Sequence, residues 1–260
     1  MSKIPVIGTA VVNSSYWVSR LIMSVDYPVE NFVIINNNGK GELNEELDNL
    51  SRLKHKFIEK ITICHMPANI GVSGAWNLII KCYMNAPYWI ICNDDIAFGT
   101  GFLNEMVSAS ENDPEIGMVH GYQGDFNVGS WDLFLIRDHI IQNYGLFDEN
   151  LYPAYTEDAD YIMRFVHRPI KKILELKSNY YHGFGNKNEY YEKGSQTKKT
   201  NPELVQKLEF SNFSNIEYLT QKWGEGWRVC NPYQTPFNKD YNIGNTTYDL
   251  SFVRKKNLGF

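Results

Sequence analysis

Residues Ile4 to Val12 form an apolar, β-branched run that stops at Asn13-Ser14-Ser15, and beyond it Trp17, Leu21 and Val25 recur at helical spacing up to Tyr27-Pro28. The pattern predicts strand, turn and helix, and it then repeats. Phe32 to Ile35 reads as a second strand broken at Asn36-Asn37-Asn38-Gly39, followed by Leu43, Leu47, Leu50 and Leu53 at helical spacing. Ile58 to Cys64 predicts a third strand. A helix with Ala75, Leu78, Ile79 and Cys82 on its apolar stripe follows, closed by Pro87, and Tyr88 to Cys92 is a short fourth strand. Strands that are apolar on both faces need cover on both faces, so the first hundred residues predict an α/β architecture with a mainly parallel sheet between helices.

Past that point the rhythm changes. Ile116 to Gly121 and Ser130 to Ile136 read as strands, Arg137 to Tyr144 and Glu157 to His167 as helices, and Ile170 to Leu174 and Asn179 to His182 as short strands. From about Gly183 the pattern is less regular. There Asn201-Pro202 offers an N-cap and first helical residue, and Ser214-x-x-Glu217 reads as a capping box ahead of Ile216, Leu219 and Trp223, with Gly224 as the stop. With no internal repeat or linker, the chain is expected to form one domain with a C-terminal extension.

Composition narrows the function classes. Lys and Arg total 25 against 30 Asp and Glu, a formal charge of −5, which disfavours a nucleic-acid partner bound through phosphates. A 43% apolar and 14% aromatic content excludes global disorder. No apolar run approaches the roughly 18 residues of a membrane span, and Met1 to Ala10 has no basic segment leading into a long apolar stretch, so a soluble, cytoplasmic protein is expected. Cys64, Cys82, Cys92 and Cys230 have no C-x-x-C spacing, and three of them have apolar neighbours, which predicts buried free thiols.

In open α/β sheets ligands bind beyond the carboxyl ends of the strands, and three of those ends are unusually polar. Asn13-Ser14-Ser15 follows the first strand, Asn36 to Gly41 the second and Asn93-Asp94-Asp95 the fourth; any one of them alone is adequately explained as a turn. Adjacent carboxylates directly after a buried strand repel and lose hydration unless a cation joins them, and oxygen ligands of this kind suit magnesium or manganese. Thr156-Glu157-Asp158-Ala159-Asp160 is the second acidic cluster. Thr156 is the expected N-cap, Asp160 and Arg164 are spaced as an ion pair, and Glu157 and Asp158 suit either the positive helix end or a pocket wall behind Tyr152 to Tyr155. A carboxylate held there is ionised at neutral pH and competent to accept a proton from a sugar hydroxyl. His182, followed by Gly183 and Gly185, reads either as a structural hydrogen bonder or as a ligand.

Taken in order, Ser24-x-Asp26-Tyr27-Pro28 through Asn36-Asn37-Asn38-Gly39, Asn69-Ile70-Gly71-Val72-Ser73-Gly74-Ala75-Trp76-Asn77, Asn93-Asp94-Asp95, Gly145-Leu146-Phe147-Asp148, Thr156-Glu157-Asp158-x-Asp160 and His182 resemble the family 2 glycosyltransferases of GT-A fold, nearest in flavour to the non-processive, rhamnosyltransferase-like branch. The resemblance spans roughly residues 4 to 185. It implies a GT-A core over 1–185 and, over 186–260, an aromatic-rich extension that forms either an acceptor platform or lid, or hydrophobic packing. It further implies an inverting enzyme that moves a single hexosyl, deoxyhexosyl or pentosyl unit from a UDP-, dTDP- or GDP-sugar to a hydroxyl of a glycan or other acceptor. In that reading Asn93-Asp94-Asp95 stands for the family's D-x-D motif, with Asp95 and His182 on Mn2+ or Mg2+ and Asp94 near the ribose or metal waters. Asp158 is the base, with Glu157 beside it as a second catalytic carboxyl. Asn13 and the Asn36 to Asn38 loop face the nucleotide base and ribose, Asn69, Gly71 and Asn77 line the same cleft, and Gly129-Ser130-Trp131-Asp132 lies near the sugar and acceptor. Asn93 and Asn36 stand where the family carries Asp, which leaves a catalytically inactive sugar- or nucleotide-binding module of the same fold as the alternative.

Overall fold

The apolar runs pair into one sheet, because a run buried on both faces can satisfy its backbone only between two neighbours. The computed structural model describes residues 2–121, 131–168, 172–176, 180–183 and 202–224. Its first half holds β1 (Ile4–Val11), α1 (Ser15–Met23), β2 (Val29–Asn36), α2 (Asn44–Ser51), β3 (Ile58–His65), α3 (Gly71–Cys82), β4 (Tyr88–Asn93), β5 (Ile96–Phe98) and α4 (Phe102–Asn112). β6 (Ile116–His120), β7 (Leu133–Arg137), α5 (Asp138–Tyr144), α6 (Glu157–His167), β8 (Lys172–Glu175), β9 (Tyr180–His182) and α7 (Pro202–Trp223) follow. The main sheet runs β3-β2-β1-β4-β7-β6-β8, and β5 pairs with β9 in a separate two-stranded ribbon.

β1 lies at the centre of the parallel half, with Thr9 opposite both Ile34 of β2 and Cys92 of β4. Successive residues alternate between two apolar layers: Ile7, Ile34 and Ile90 belong to one, Val6, Ile35 and Ile91 to the other. Helix α3 packs so close that a Cβ on Gly8 would lie 2.4 Å from Ile79 Cγ2. Among the described residues β7 is the one antiparallel member of the sheet, paired with both β4 and β6. Its start therefore lies at the edge where β1, β2 and β4 end. Among the described residues no helix is long and apolar enough to cross a membrane.

Several expectations are corrected. α4, whose face of Phe102, Leu103, Met106 and Val107 is buried, was not among the predicted elements. α7 is one helix of 22 residues, so Ser214 is internal and its hydroxyl turns back to the Phe210 carbonyl at 3.4 Å instead of capping a new helix. Gly224, at φ +91°, does end it. Thr156 precedes α6 but makes no side-chain cap: it sits at φ +73° with its hydroxyl on the Tyr155 carbonyl. Cys92 is buried, whereas Cys64 is half-buried and Cys82 is exposed at the end of α3; Cys230 lies outside the described residues.

Asp160 and Arg164 pair at 2.6 Å as their spacing predicts, yet both are wholly buried, because α7 closes over them. Lys222 Nζ lies 2.6 Å from Asp148 Oδ2 and 2.7 Å from Asp160 Oδ1, and Trp223 Nε1 donates to Asp160 Oδ1 at 2.8 Å. Arg164 also donates to the Tyr144 and Leu146 carbonyls. Two cations thus neutralise two carboxylates in a dry interface, which is stable only when every charge has its partner. Trp223, stacked on His167 at 4.9 Å, is core. Tyr190, Tyr191, Trp227 and Tyr233 lie outside the described residues, as does Arg254-Lys255-Lys256.

Candidate active site

β4 carries its apolar run out of the core at Asn93, whose backbone N–H donates to the Asp132 carbonyl at 2.8 Å. The contact joins the carboxyl end of β4 to the approach of β7. Around it lies a cavity of about 300 Å³ that reaches Ala10, Val12 and Asn37 at the ends of β1 and β2. Asp94, Asp95, Asp132, Glu157 and Asp158 line it, and no Lys or Arg does among the described residues.

His182 sits between two of these carboxylates. Its Nε2 lies 3.2 Å from Asp95 Oδ1 and its Nδ1 2.7 Å from Asp132 Oδ2, while Tyr180 donates its hydroxyl to both Asp132 oxygens at 2.9 and 3.0 Å. The β5–β9 ribbon makes this possible, since it sets Ile96 opposite His182, and Gly183 N–H donates to the Asp95 carbonyl. Burial alone would push the imidazole down, but its hydrogen bonds to Asp132 and Asp95 outweigh that and lift it to about 10, so without a cation it is an imidazolium. Asp94 is pushed well above the carboxylate range, first by burial and then by the charge of Asp95.

Glu157 and Asp158 enter the cavity from the first turn of α6. Burial, with the adjacent Asp158 charge, raises Glu157 to about 8, and burial raises Asp158 as well. Asp158 Oδ1 accepts from Ala159 N–H at 2.7 Å. Glu157 Oε2 and Trp131 Nε1 are buried and have no hydrogen-bond partner among the described residues, although both residues line the cavity. Buried polar atoms are normally satisfied, so the two leave hydrogen-bonding capacity open on the cavity wall.

The expected residues divide into two sets. Asn69, Asn93, Asp94, Asp95, Trp131, Glu157 and Asp158 line one cavity, and His182 is held against Asp95. Asn36 is buried among Asn44, His65 and the Asn38 backbone, with its amide 2.8 Å from Asn44 Oδ1 and 2.9 Å from His65 Nδ1, and it does not line the cavity. Asn38 spends its amide on the Val12 carbonyl and its oxygen on Lys40 N–H. Asn77 is enclosed by Phe147 and Glu149 and ties α3 to the 147–149 segment instead of lining the cleft. Gly71, at φ +77°, lies behind the wall, where a Cβ would meet the Pro153 carbonyl oxygen at 3.0 Å. Asn13 is half-buried in the β1–α1 turn and is not among the lining residues. Asn37 was not singled out within its loop, yet it lines the cavity while bridging Ile70 N–H and the Gly71 carbonyl. Asp132, in the segment expected near the sugar and acceptor, lines the cavity and also bonds His182, and Tyr180 in turn holds Asp132. No local motif marks them, because the pairing of β5 with β9 creates that contact.

A mainly parallel α/β sheet with one antiparallel strand among the described residues, and a cavity at the strand ends, give the GT-A class of fold, and the solved structures it is similar to include glycosyltransferases. No family model matches the chain. Among curated proteins it is similar to a galactofuranosyl glycosyltransferase of Leishmania donovani, at 21% identity over 297 aligned positions covering 85% of this chain and 67% of that one. GalNAc-T7, solved with UDP, GalNAc and Mn2+, superposes with a TM-score of 0.64 at 13% identity over 98% of this chain and 54% of that one. S. aureus TarS 1–349 gives 0.52 at 13% identity over 69% and 60%. The mannosyltransferase PcManGT of Pyrobaculum calidifontis, with GDP-Man and Mn2+, gives 0.51 at 14% identity over 66% and 54%. The chain therefore spans between about half and three fifths of the length of these solved proteins.

A divalent cation fits the residues here. Asp95, Asp94, the Asn93 amide oxygen and the His182 imidazole offer the oxygen and nitrogen donors that manganese accepts. Among the described residues no group of three His, Cys, Asp or Glu side chains is placed to hold an ion by itself.

Proposed function

We propose that this protein is an inverting glycosyltransferase of family 2 type that moves one sugar from a nucleoside diphosphate donor to an acceptor hydroxyl, with Asp158 as general base. The observation that carries the reading is the cavity itself: among the described residues, five carboxylates and no Lys or Arg line it at the strand ends of a fold matched by sugar-nucleotide enzymes. A diphosphate enters such a site only together with a cation. Asp95 and His182, with Asn93 and Asp94 beside them, would hold that ion, which when bound supplies neutralisation of the charge growing on the departing diphosphate.

Asp158 accepts the proton of the acceptor hydroxyl. The acceptor oxygen forms its bond to the anomeric carbon as the bond from that carbon to the diphosphate oxygen breaks, and the nucleoside diphosphate leaves with the electron pair. Glu157 and Asp158 split the acid and base roles of an adjacent pair. Glu157, raised to about 8, keeps its proton at neutral pH and holds it at Oε2 for a sugar oxygen, and being uncharged it leaves Asp158 free to ionise. Trp131 Nε1 offers a second donor to the sugar. The rhamnosyltransferase-like branch and the galactofuranosyl relative name the donors to try first.

The test is release of nucleoside diphosphate from a panel of UDP-, dTDP- and GDP-sugars, a galactofuranosyl nucleotide included, with and without manganese. Manganese-dependent release from one donor, stimulated by an acceptor, is the expected outcome. Saturable donor binding without release identifies a binding module instead, and absence of binding to all of them removes the reading.

Asp132 is expected to act on the cation through His182. Its bond to Nδ1 decides which ring nitrogen faces Asp95, and partners of this kind shift metal affinity by about 10–100-fold. Asp132→Asn should raise the manganese concentration for half-maximal release by about that factor while saturating manganese restores most of the rate. An unchanged half-saturation point would show that Asp132 has no such part.

A further inference from the structure

The proposed base hangs on an unusual piece of backbone. Tyr155 and Thr156, immediately before Glu157, both lie at φ +73°, in the left-handed region that residues with a Cβ avoid. Two successive residues persist there only where the surroundings over-determine them. The restraint comes from α7: Asn215 donates its side-chain amide to the Ala154 carbonyl at 3.0 Å and to the Tyr155 carbonyl at 2.9 Å. Asn215 is wholly buried in a helix face that also buries Leu208, Ser211, Leu219, Lys222 and Trp223, where an amide is costly unless its bonds are made.

The same helix also holds the chain beyond the two acids, since Lys222 and Trp223 both bond Asp160 Oδ1. Residues 154–155 on one side of Glu157 and Asp158 and residue 160 on the other are thereby tied to a single rigid rod. Leu204 and Leu208 of that rod line the cavity as well.

We infer that α7 is a working part of the site and that Asn215 is a positioning residue, whose amide fixes the left-handed turn from which Glu157 and Asp158 enter the cavity. The inference rests on the proposed role of Asp158. It is independent of which sugar is transferred.

The full chain carrying Asn215→Ala would be compared with Leu219→Ala, which removes buried packing four residues along the same helix without touching those carbonyls. The donor is the sugar nucleotide turned over fastest in the panel, with saturating manganese. Asn215→Ala should lower kcat at least tenfold with donor affinity within twofold. It should also move the acid limb of kcat to lower pH, as a loosened turn hydrates Asp158, and raise amide hydrogen exchange over residues 152–158. Leu219→Ala should keep kcat within twofold, the acid limb in place and the exchange of that segment at the wild-type level. If Asn215→Ala fails to fold, Asn215→Ser, which keeps a hydroxyl donor, is read by the same measurements, with a smaller expected loss in kcat. Wild-type kcat in the Asn215 variant, a loss no larger than that of Leu219→Ala, or unchanged exchange over 152–158 would each overturn the inference. If the wild-type protein turns over no sugar nucleotide, the proposed function fails, and the exchange comparison alone still decides whether Asn215 holds the turn.

Discussion

Asp158→Asn is expected to lower turnover by about two to four powers of ten, the range a positioned general base contributes, while donor affinity stays nearly intact. The amide preserves the shape of the side chain and its contact with Ala159 N–H but cannot take up a proton. Because burial raises the Asp158 carboxyl, the proposed base ionises at a higher pH than an ordinary aspartate, and wild-type kcat should fall on an acid limb displaced upward from about pH 4. That limb should vanish from the residual rate of the variant. Steady-state assays across pH with donor titration separate the outcomes: a near-normal rate removes the base assignment, and a loss carried by donor affinity moves Asp158 into donor binding.

Lys222→Met is expected to destabilise the fold by about 3–5 kcal/mol, since it deletes one partner of a buried charge cluster and leaves Asp148 and Asp160 without their shared cation. The methionine fills most of the lysine's volume, so the loss reports on charge more than on a cavity. Arg164 and Trp223 still hold Asp160, and the Tyr218 hydroxyl still donates to Asp148 Oδ2 at 2.8 Å. Denaturant titration reads the change as a lower midpoint at constant slope. The acid branch carries a second sign. Burial would raise Asp160, but the charges of Arg164 and Lys222 hold it down to about 2. The stability that comes from its ionised form is complete above the unfolded value near pH 4 and is lost as pH falls toward 2. Without Lys222 the folded carboxyl titrates higher, so acid unfolding should begin at a higher pH. A variant with an unshifted denaturation midpoint would show that the cluster contributes nothing net.

The two acidic segments differ in how much of their role could be read along the chain. Asn93-Asp94-Asp95 follows a run with no polar residue from Trp89 to Cys92, so its position at a strand end follows from periodicity, and the strand-end rule then places it at a ligand site. Glu157 and Asp158 begin a helix whose bounds, Glu157–His167, agree with the apolar stripe. Nothing local says that these two acids face the cavity while Asp160 turns into a buried cluster, because one turn of helix separates the two fates. Lys222 illustrates the same point from the other side. Between Gln221 and Trp223 it reads as a solvent-facing lysine, yet it is 2% exposed.

Polar side chains on the second strand's loop were the least legible. Asn36, Asn37 and Asn38 are identical in chemistry and adjacent, and only Asn37 lines the cavity, since the end of β2 directs consecutive side chains to different neighbours. The resemblance implies that Asn77 lines the cleft together with Asn69 and Gly71. Three bonds to Phe147 and Glu149 instead make it a brace.

By itself the sequence determined the alternation of strands and helices, the double-sided burial of β1, β2 and β4, the acidic strand end at residues 93–95 and the acidic start of α6. Each of these is local: period, propensity and charge act over a few residues. Only the tertiary structure decided that β7 runs against its neighbours and brings Asp132 to the strand ends, that the β5–β9 ribbon holds His182 between Asp95 and Asp132, and that α7 returns to hold the turn before Glu157. Those contacts join residues dozens of positions apart. Their energy comes from burial and from charges completed across elements, which no window of sequence contains.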